Sequence, residues 1–164
     1  MVGDFSSLPG RLEWRYSPTK TKKNRQRTKP LRLMPGYMLD TDTVSFALRG
    51  HGRVAENLLS HRPSEIFVSS ITLAELRFGA ERIRSTKLHR LIDAFMDSVA
   101  VLPFDQSAAD RFASVAIALV RRGEPIGTFD TQIAAHALSL GLILVTNNTK
   151  HFRRVTGLRT ENWV

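Results

Sequence analysis

The chain has 164 residues, with 24 Lys or Arg against 15 Asp or Glu, a formal charge of +9 and 42% hydrophobic residues. One domain of that length and apolarity buries a real core, which excludes a chain disordered throughout. The absence of cysteine excludes a disulfide scaffold, a thiolate zinc site and a cysteine nucleophile.

The charge is uneven. Residues 1–36 hold nine basic and two acidic groups, a net +7, which leaves +2 for residues 37–164. Pro9, Pro18, Pro30 and Pro35 punctuate this first stretch, and the run from Lys20 to Lys29 has too little apolar surface to offset the entropy of ordering. A disordered basic tail is expected there, or a non-native upstream extension if the chain begins at Met34 or Met38. Its Arg-rich, acid-poor composition also fits an organelle transit peptide. It lacks the apolar core of a secretory signal, and the chain has no apolar run of about 18 residues to span a membrane. The expected setting is the cytoplasm.

From residue 37 the pattern alternates. Tyr37 to Asp40 reads as a short strand ending in an acid. Thr43 to Leu48 begins a helix broken at Gly50 and Gly52, and Val54 to Leu59 is a second helical piece. Ile66 to Ser69 is a buried strand, followed by a helix from Ser70 to Ile83. Leu88, Leu91, Ile92, Phe95 and Met96 form one amphipathic face. Val99 to Leu102 is a strand. Asp105 to Arg122 is a long helix with Gly123 closing it, and Thr128 to Leu140 is another closed by Gly141. Leu142 to Val145 is an apolar strand. Strands separated by helices predict an α/β fold with a parallel or mostly parallel sheet and helices on both faces. Such sheets bind ligands beyond the carboxyl ends of their strands.

Three acids fall there. Asp40 ends the first strand, Glu75 lies a turn into the helix after the second, and Asp130 sits in the first turn of the last long helix. Asp130 shares a helix face with Ile133, Ala134 and Ala137, so it is expected to point toward the sheet. Each acid also has a local reading: Asp40 as a turn residue, Glu75 in a Thr72-x-x-Glu75 capping box, and Asp130 as a helix N-terminal acid. Together at one sheet edge they repel one another unless a cation lies between them. Hard oxygen ligands around an open site suit Mg²⁺ or Mn²⁺, which promotes phosphodiester cleavage by water.

Four motifs in order carry a resemblance: Met38-Leu-Asp40-Thr-Asp42-Thr, Ser69-Ser-Ile-Thr-Leu-Ala-Glu75-Leu, Ile126-Gly-Thr-Phe-Asp130-Thr-Gln-Ile-Ala-Ala and Leu144-Val-Thr146-Asn-Asn-Thr-Lys-His-Phe152. Residues 37–164, to the closing Gly157-Leu-Arg-Thr-Glu-Asn-Trp163, resemble a PIN-domain ribonuclease of the VapC toxin type. The resemblance implies an α/β/α sandwich, a divalent-metal endoribonuclease, a homodimer or hetero-oligomer, and inhibition by a cognate antitoxin. It implies that Asp40, Glu75 and Asp130 bind the metal, and that Thr146 and Asn147 belong to the polar loop around it. Asp42 stands where the family usually has Asn and is expected to brace the first loop or cap the next helix. His151 stands where the family commonly supplies a further acid. The site is therefore expected to be one carboxylate short, with weaker occupancy of a second metal and a leaning to Mn²⁺. The alternative for His151 is a surface residue. The remaining histidines (His51, His61, His89 and His136) show no ligand spacing and are expected mostly at the surface or on helix faces.

Lys150, Arg153 and Arg154 are candidates for holding the RNA backbone, or are simply a solvated basic stretch. The resemblance further implies that an antitoxin segment fills a groove between helices and sets a basic side chain on the acids. The apolar faces near Phe78, Leu88 and Phe95 are candidates for that groove, for a dimer contact, or for core. The motifs look similar to those of enterobacterial toxins that cut a transfer RNA. The rival functions are a catalytically weak PIN-like module that binds RNA or protein, and a DNA-binding protein led by the basic tail.

Overall fold

The computed structural model describes residues 36–164. The tail expected over residues 1–36 lies, apart from Gly36, outside the described residues.

Five strands form one sheet in the order β3-β2-β1-β4-β5, and every neighbouring pair is parallel. The strands are β1 (Tyr37–Leu39), β2 (Ile66–Ser69), β3 (Ala100–Leu102), β4 (Ile143–Val145) and β5 (Thr160–Glu161). Between them run α1 (Thr41–Leu48), α2 (Val54–Ser60), α3 (Ser70–Arg82), α4 (Thr86–Met96), α5 (Gln106–Arg121), α6 (Thr128–Leu140) and α7 (Thr149–Phe152). Parallel neighbours require crossovers, and the helices supply them.

The two faces of the sheet are covered separately. In register, Met38 lies beside Leu144 and Leu39 beside Val145. Side chains alternate along a strand, so the first pair faces one way and the second the other. Met38 and Leu144 join a core with Val115 and Leu119 of α5, Ile133 and Ala134 of α6, and Phe152 of α7. Leu39 and Val145 join Ile66 and Val68 in a second core with Val44, Val54, Leu76, Ile92 and Trp163. The expected three-layer α/β arrangement is therefore the one observed.

Most element boundaries fall within one or two residues of expectation, with two informative differences. Helix α1 starts at Thr41 instead of Thr43, because Asp40 itself caps it. The short α7 and β5 carry no period long enough to be read from sequence. They exist because Phe152 is fully buried and because β5 pairs with β4. Gly141 closes α6 as expected, at φ 68°, a left-handed conformation in which its N–H reaches back to Leu138 O.

The chain reaches β2 and β3 on one side of β1 and β4 and β5 on the other. The order of connection therefore reverses between β1 and β4, and the carboxyl ends of those two strands flank the crevice where such sheets bind ligands. No helix among the described residues is long and apolar enough to cross a membrane.

Phe152 ties α7, and the loop before it, to the core. Phe152→Ala is expected to cost about 3–5 kcal/mol, read as a lower urea midpoint with an unchanged slope.

Candidate active site

Asp40 is the first residue beyond β1, and it is 5% exposed. Its backbone N–H donates to Val145 O at 2.9 Å, which holds it against β4. One carboxylate oxygen accepts from Thr41 N–H at 2.8 Å and the other from the Thr146 hydroxyl at 2.8 Å. It is thus a helix cap and a bridge across the crevice at once. Burial pushes its carboxyl up to about 7. The Asp42 charge, and less so that of Asp130, push the same way against those hydrogen bonds.

Glu75 lies in the second turn of α3, half-buried, with Oε2 accepting from the Thr41 hydroxyl at 2.6 Å. Thr41 therefore connects the Asp40 turn to Glu75 across 34 residues of chain. Burial first, then the charge of Asp130, raises the Glu75 carboxyl. The cap of α3 is Ser69, whose hydroxyl accepts from Ile71 N–H at 3.1 Å. The Thr72-x-x-Glu75 capping box is not formed, because Thr72 is already inside the helix and buried. Glu75 is free of any capping duty.

Asp130 sits in the first turn of α6, as expected, above the buried Ile133, Ala134 and Ala137. His151 Nδ1 lies 3.2 Å from Asp130 Oδ2, and the Asn148 amide lies 2.8 Å from the same ring nitrogen. His151 is therefore not a detached surface residue. It stands against one of the acids, with its side chain still partly exposed.

Asp42 does not cap α1, since Asp40 does. It braces the loop after β4, where Oδ2 accepts from Asn147 N–H at 3.1 Å, and it also accepts from the Thr43 hydroxyl at 3.2 Å. Burial raises its carboxyl, while its hydrogen bonds from Thr43 and the Asn147–Asn148 backbone oppose the rise. Thr146 is buried, and its hydroxyl both donates to Asp40 and accepts from Asn148 N–H at 3.0 Å. Asn147 is exposed, with its side-chain oxygen accepting from Asn162 at 3.2 Å. Lys150, Arg153 and Arg154 are exposed on and after α7.

Sequence reasoning missed two contributors. Thr41 was invisible as a partner of Glu75 because the contact is long-range. His136, expected with the other histidines at the surface or on a helix face, lies on α6 and is 1% exposed. Its Nδ1 lies 2.9 Å from the Ser69 hydroxyl, and its ring packs edge-on against Phe104. Burial lowers its pKa, with Asp105 opposing, so the ring is held to Ser69 by a hydrogen bond and not by charge. That bond ties α3, which carries Glu75, to α6, which carries Asp130. A histidine inside the apolar run from Ile133 to Leu140 was the available signal. His61 instead stacks on Trp163, with ring centroids 5.0 Å apart.

The donor set is composed of carboxylate and hydroxyl oxygens, the chemistry a hard divalent cation takes. The acids sense one another, yet among the described residues no three His, Asp or Glu side chains converge into a closed ion cage. Mg²⁺ commonly keeps several waters and takes only one or two carboxylates directly. An open arrangement of Asp40, Glu75 and Asp130, reaching an ion partly through water, therefore fits such a cation.

The model of the PIN domain matches residues 37–158. The chain is 39% identical to the tRNA(fMet)-specific endonuclease VapC of Shigella flexneri over 77% of its own length and 97% of that protein. It is likewise 39% identical to ribonuclease VapC2 of Haemophilus influenzae over 78% of its length and 98% of that protein. Among solved structures it is similar to DNA-bound VapBC from Salmonella typhimurium, with a TM-score of 0.73 and 37% identity over 80% of this chain and all of that one. It is also similar to Rickettsia felis VapBC2 bound to a promoter DNA fragment, with a TM-score of 0.70 and 32% identity over 78% of this chain and 98% of that one.

The raised Asp40 carboxyl makes a prediction about stability. Between about pH 4 and pH 7 the folded state keeps a proton that the unfolded chain releases, so this contribution to stability is lost as pH rises through that window. Asn at position 40 does not titrate, and its amide can donate to Thr146 while its oxygen caps Thr41. Without metal, Asp40→Asn is expected to melt roughly 5 °C or more above the parent at pH 8, with the gap closing toward pH 4.

Proposed function

The chain belongs to the PIN-domain family, and from that premise we propose that it is the endoribonuclease toxin of a toxin–antitoxin pair, cutting RNA with water and a divalent cation. The observation that carries the reading is that Asp40 and Glu75, each held by a threonine hydroxyl, both sense the charge of Asp130, in a chain with curated ribonuclease relatives. A transfer RNA is the substrate suggested by the Shigella relative's name. Such a substrate sets the action in the cytoplasm.

Asp40, Glu75 and Asp130 would hold the cation, Mg²⁺ or Mn²⁺, directly or through water. When bound, that ion supplies a lowered pKa for the attacking water and positive charge for the phosphoryl oxygens. Asp40 is held by Thr41 and Thr146, so it presents its carboxylate without reorganising. Thr41 holds Glu75 by the same logic. Asp42 fixes the Asn147 backbone and so the loop that borders the crevice. Lys150 on α7 and Arg153 and Arg154 just after it, all exposed, would meet phosphates of the RNA backbone. No side-chain nucleophile is required.

The partner is an antitoxin protein, as in the VapBC complexes among the similar structures. Its inhibitory segment is assigned to the apolar groove between α1, α3 and α4, about 450 Å³, lined by Leu48, Leu76, Leu88 and Leu91 with Thr41 and Glu75 at its end. A basic side chain of that segment would meet Glu75 there. Phe95 and Leu88 pack on the core from the same side, so the amphipathic face of α4 serves both core and groove.

Asp130→Asn is expected to lower RNA cleavage by the purified protein at least a hundredfold, while leaving the circular dichroism spectrum unchanged. Metal-dependent cleavage retained by that variant would overturn the role given to Asp130, whereas RNA bound but left uncut by the parent protein with Mg²⁺ or Mn²⁺ would favour an RNA- or protein-binding module. His151→Asp adds the acid that this position lacks, and it is expected to lower the Mn²⁺ and Mg²⁺ concentrations for half-maximal cleavage severalfold. Unchanged metal titrations would show that His151 creates no deficit.

A further inference from the structure

Two large aromatic side chains stand in solvent beside the acids. Phe78 is 69% exposed and Phe129 is 53% exposed. Each is tied to one acid by position: Phe129 precedes Asp130, and Phe78 lies one helical turn beyond Glu75 on α3. Both rings line one recess of about 600 Å³, together with Thr41, Ala74, Glu75 and Arg82. This recess lies on the α3–α6 side of Glu75, whereas the groove assigned to the antitoxin lies on the α1–α4 side. Arg82 is exposed and makes no ion pair among the described residues.

We propose that this recess is a nucleobase subsite, in which an unpaired base of the RNA next to the scissile phosphate stacks on Phe129 and Phe78 while Arg82 contacts a neighbouring phosphate. The inference rests on the ribonuclease reading and narrows its substrate to single-stranded or loop RNA. Two features of the recess favour a base. It is continuous with the acid site through Thr41 and Glu75, so whatever lies in it is within reach of a phosphate held at the acids. It also combines flat aromatic faces with a cation that makes no ion pair among the described residues, the pairing by which proteins hold splayed bases and their backbone. A base inside a duplex is already stacked on its neighbours and has no face to offer. The rings therefore select unpaired RNA and choose by stacking strength more than by hydrogen-bonded readout.

The test uses the full chain and two RNAs, a hairpin with the cut site in its loop and the same sequence closed into duplex by a complementary strand. Phe129→Ala is expected to raise KM for the loop RNA about tenfold or more, with little change in kcat. Phe129→Trp should restore KM and Phe129→Leu should not, because leucine fills space without offering a π-face. The duplex should resist cleavage. In the Asp130→Asn background a fluorescent adenine analogue in the loop should be quenched on binding, and the quenching should be lost with Phe129→Ala and Phe78→Ala together.

An unchanged KM and retained quenching in the alanine variants would overturn the proposal. So would equal behaviour of Phe129→Leu and the parent. If the alanine variants instead weaken antitoxin binding or alter the mass in solution while KM stays constant, the recess is a protein contact and the proposal fails. Quenching without any cleavage by the parent chain would retain the subsite and remove the ribonuclease reading, which separates the two failures.

Discussion

A carboxylate buried at the end of the central strand organises this molecule. Asp40 accepts from the first amide of α1 and from the hydroxyl of Thr146, while its own amide is bound to Val145. The first bond starts a helix, the second crosses the crevice, and the third extends the β1–β4 pairing by one residue. Burying a charge without a counter-charge is costly. The protein meets that cost with hydrogen bonds and partial neutralisation, as the raised carboxyl pKa records. An apolar residue at position 40 would relieve the cost and leave the crevice without its donor.

The same trade recurs around the site. Glu75 and Asp42 are also raised by burial and are also held by hydroxyls or backbone amides. Thr41, Thr43 and Thr146 supply these contacts, so the first acid turn and the loop after β4 are joined by threonine hydroxyls and not by ion pairs. Hydroxyls hold a carboxylate in place without neutralising it. The raised carboxyls leave the acids only partly neutralised, and the cores on both faces of the sheet offset the destabilisation that follows. The Ser69–His136 bond extends this bracing into the helices, linking the elements that carry Glu75 and Asp130.

His151 is the one place where the pattern is broken by a base. Beside Asp130 it places a ring nitrogen 3.2 Å from the carboxylate. Beyond it, the surfaces flanking Glu75 divide by chemistry. The α1–α4 side is lined by leucines together with Ser45 and Arg49, while the α3–α6 side carries the exposed rings of Phe78 and Phe129 beside Arg82. The overall charge of +9 says little about either surface, because +7 of it belongs to residues 1–36.

From the order of residues alone, the alternation of apolar runs and helical periods determined the parallel α/β arrangement, because strand and helix differ in period over stretches long enough to read. The positions of Asp40, Glu75 and Asp130 at strand ends and helix starts were legible for the same reason. What tertiary structure decided is which groups touch. Thr41 reaching Glu75, Asp42 holding Asn147, His151 meeting Asp130 and the burial of His136 each join residues far apart in the chain, and no local pattern encodes them. The short α7 and β5 belong with these, since a four-residue helix and a two-residue strand are held by Phe152 in the core and by pairing with β4, not by any propensity of their own.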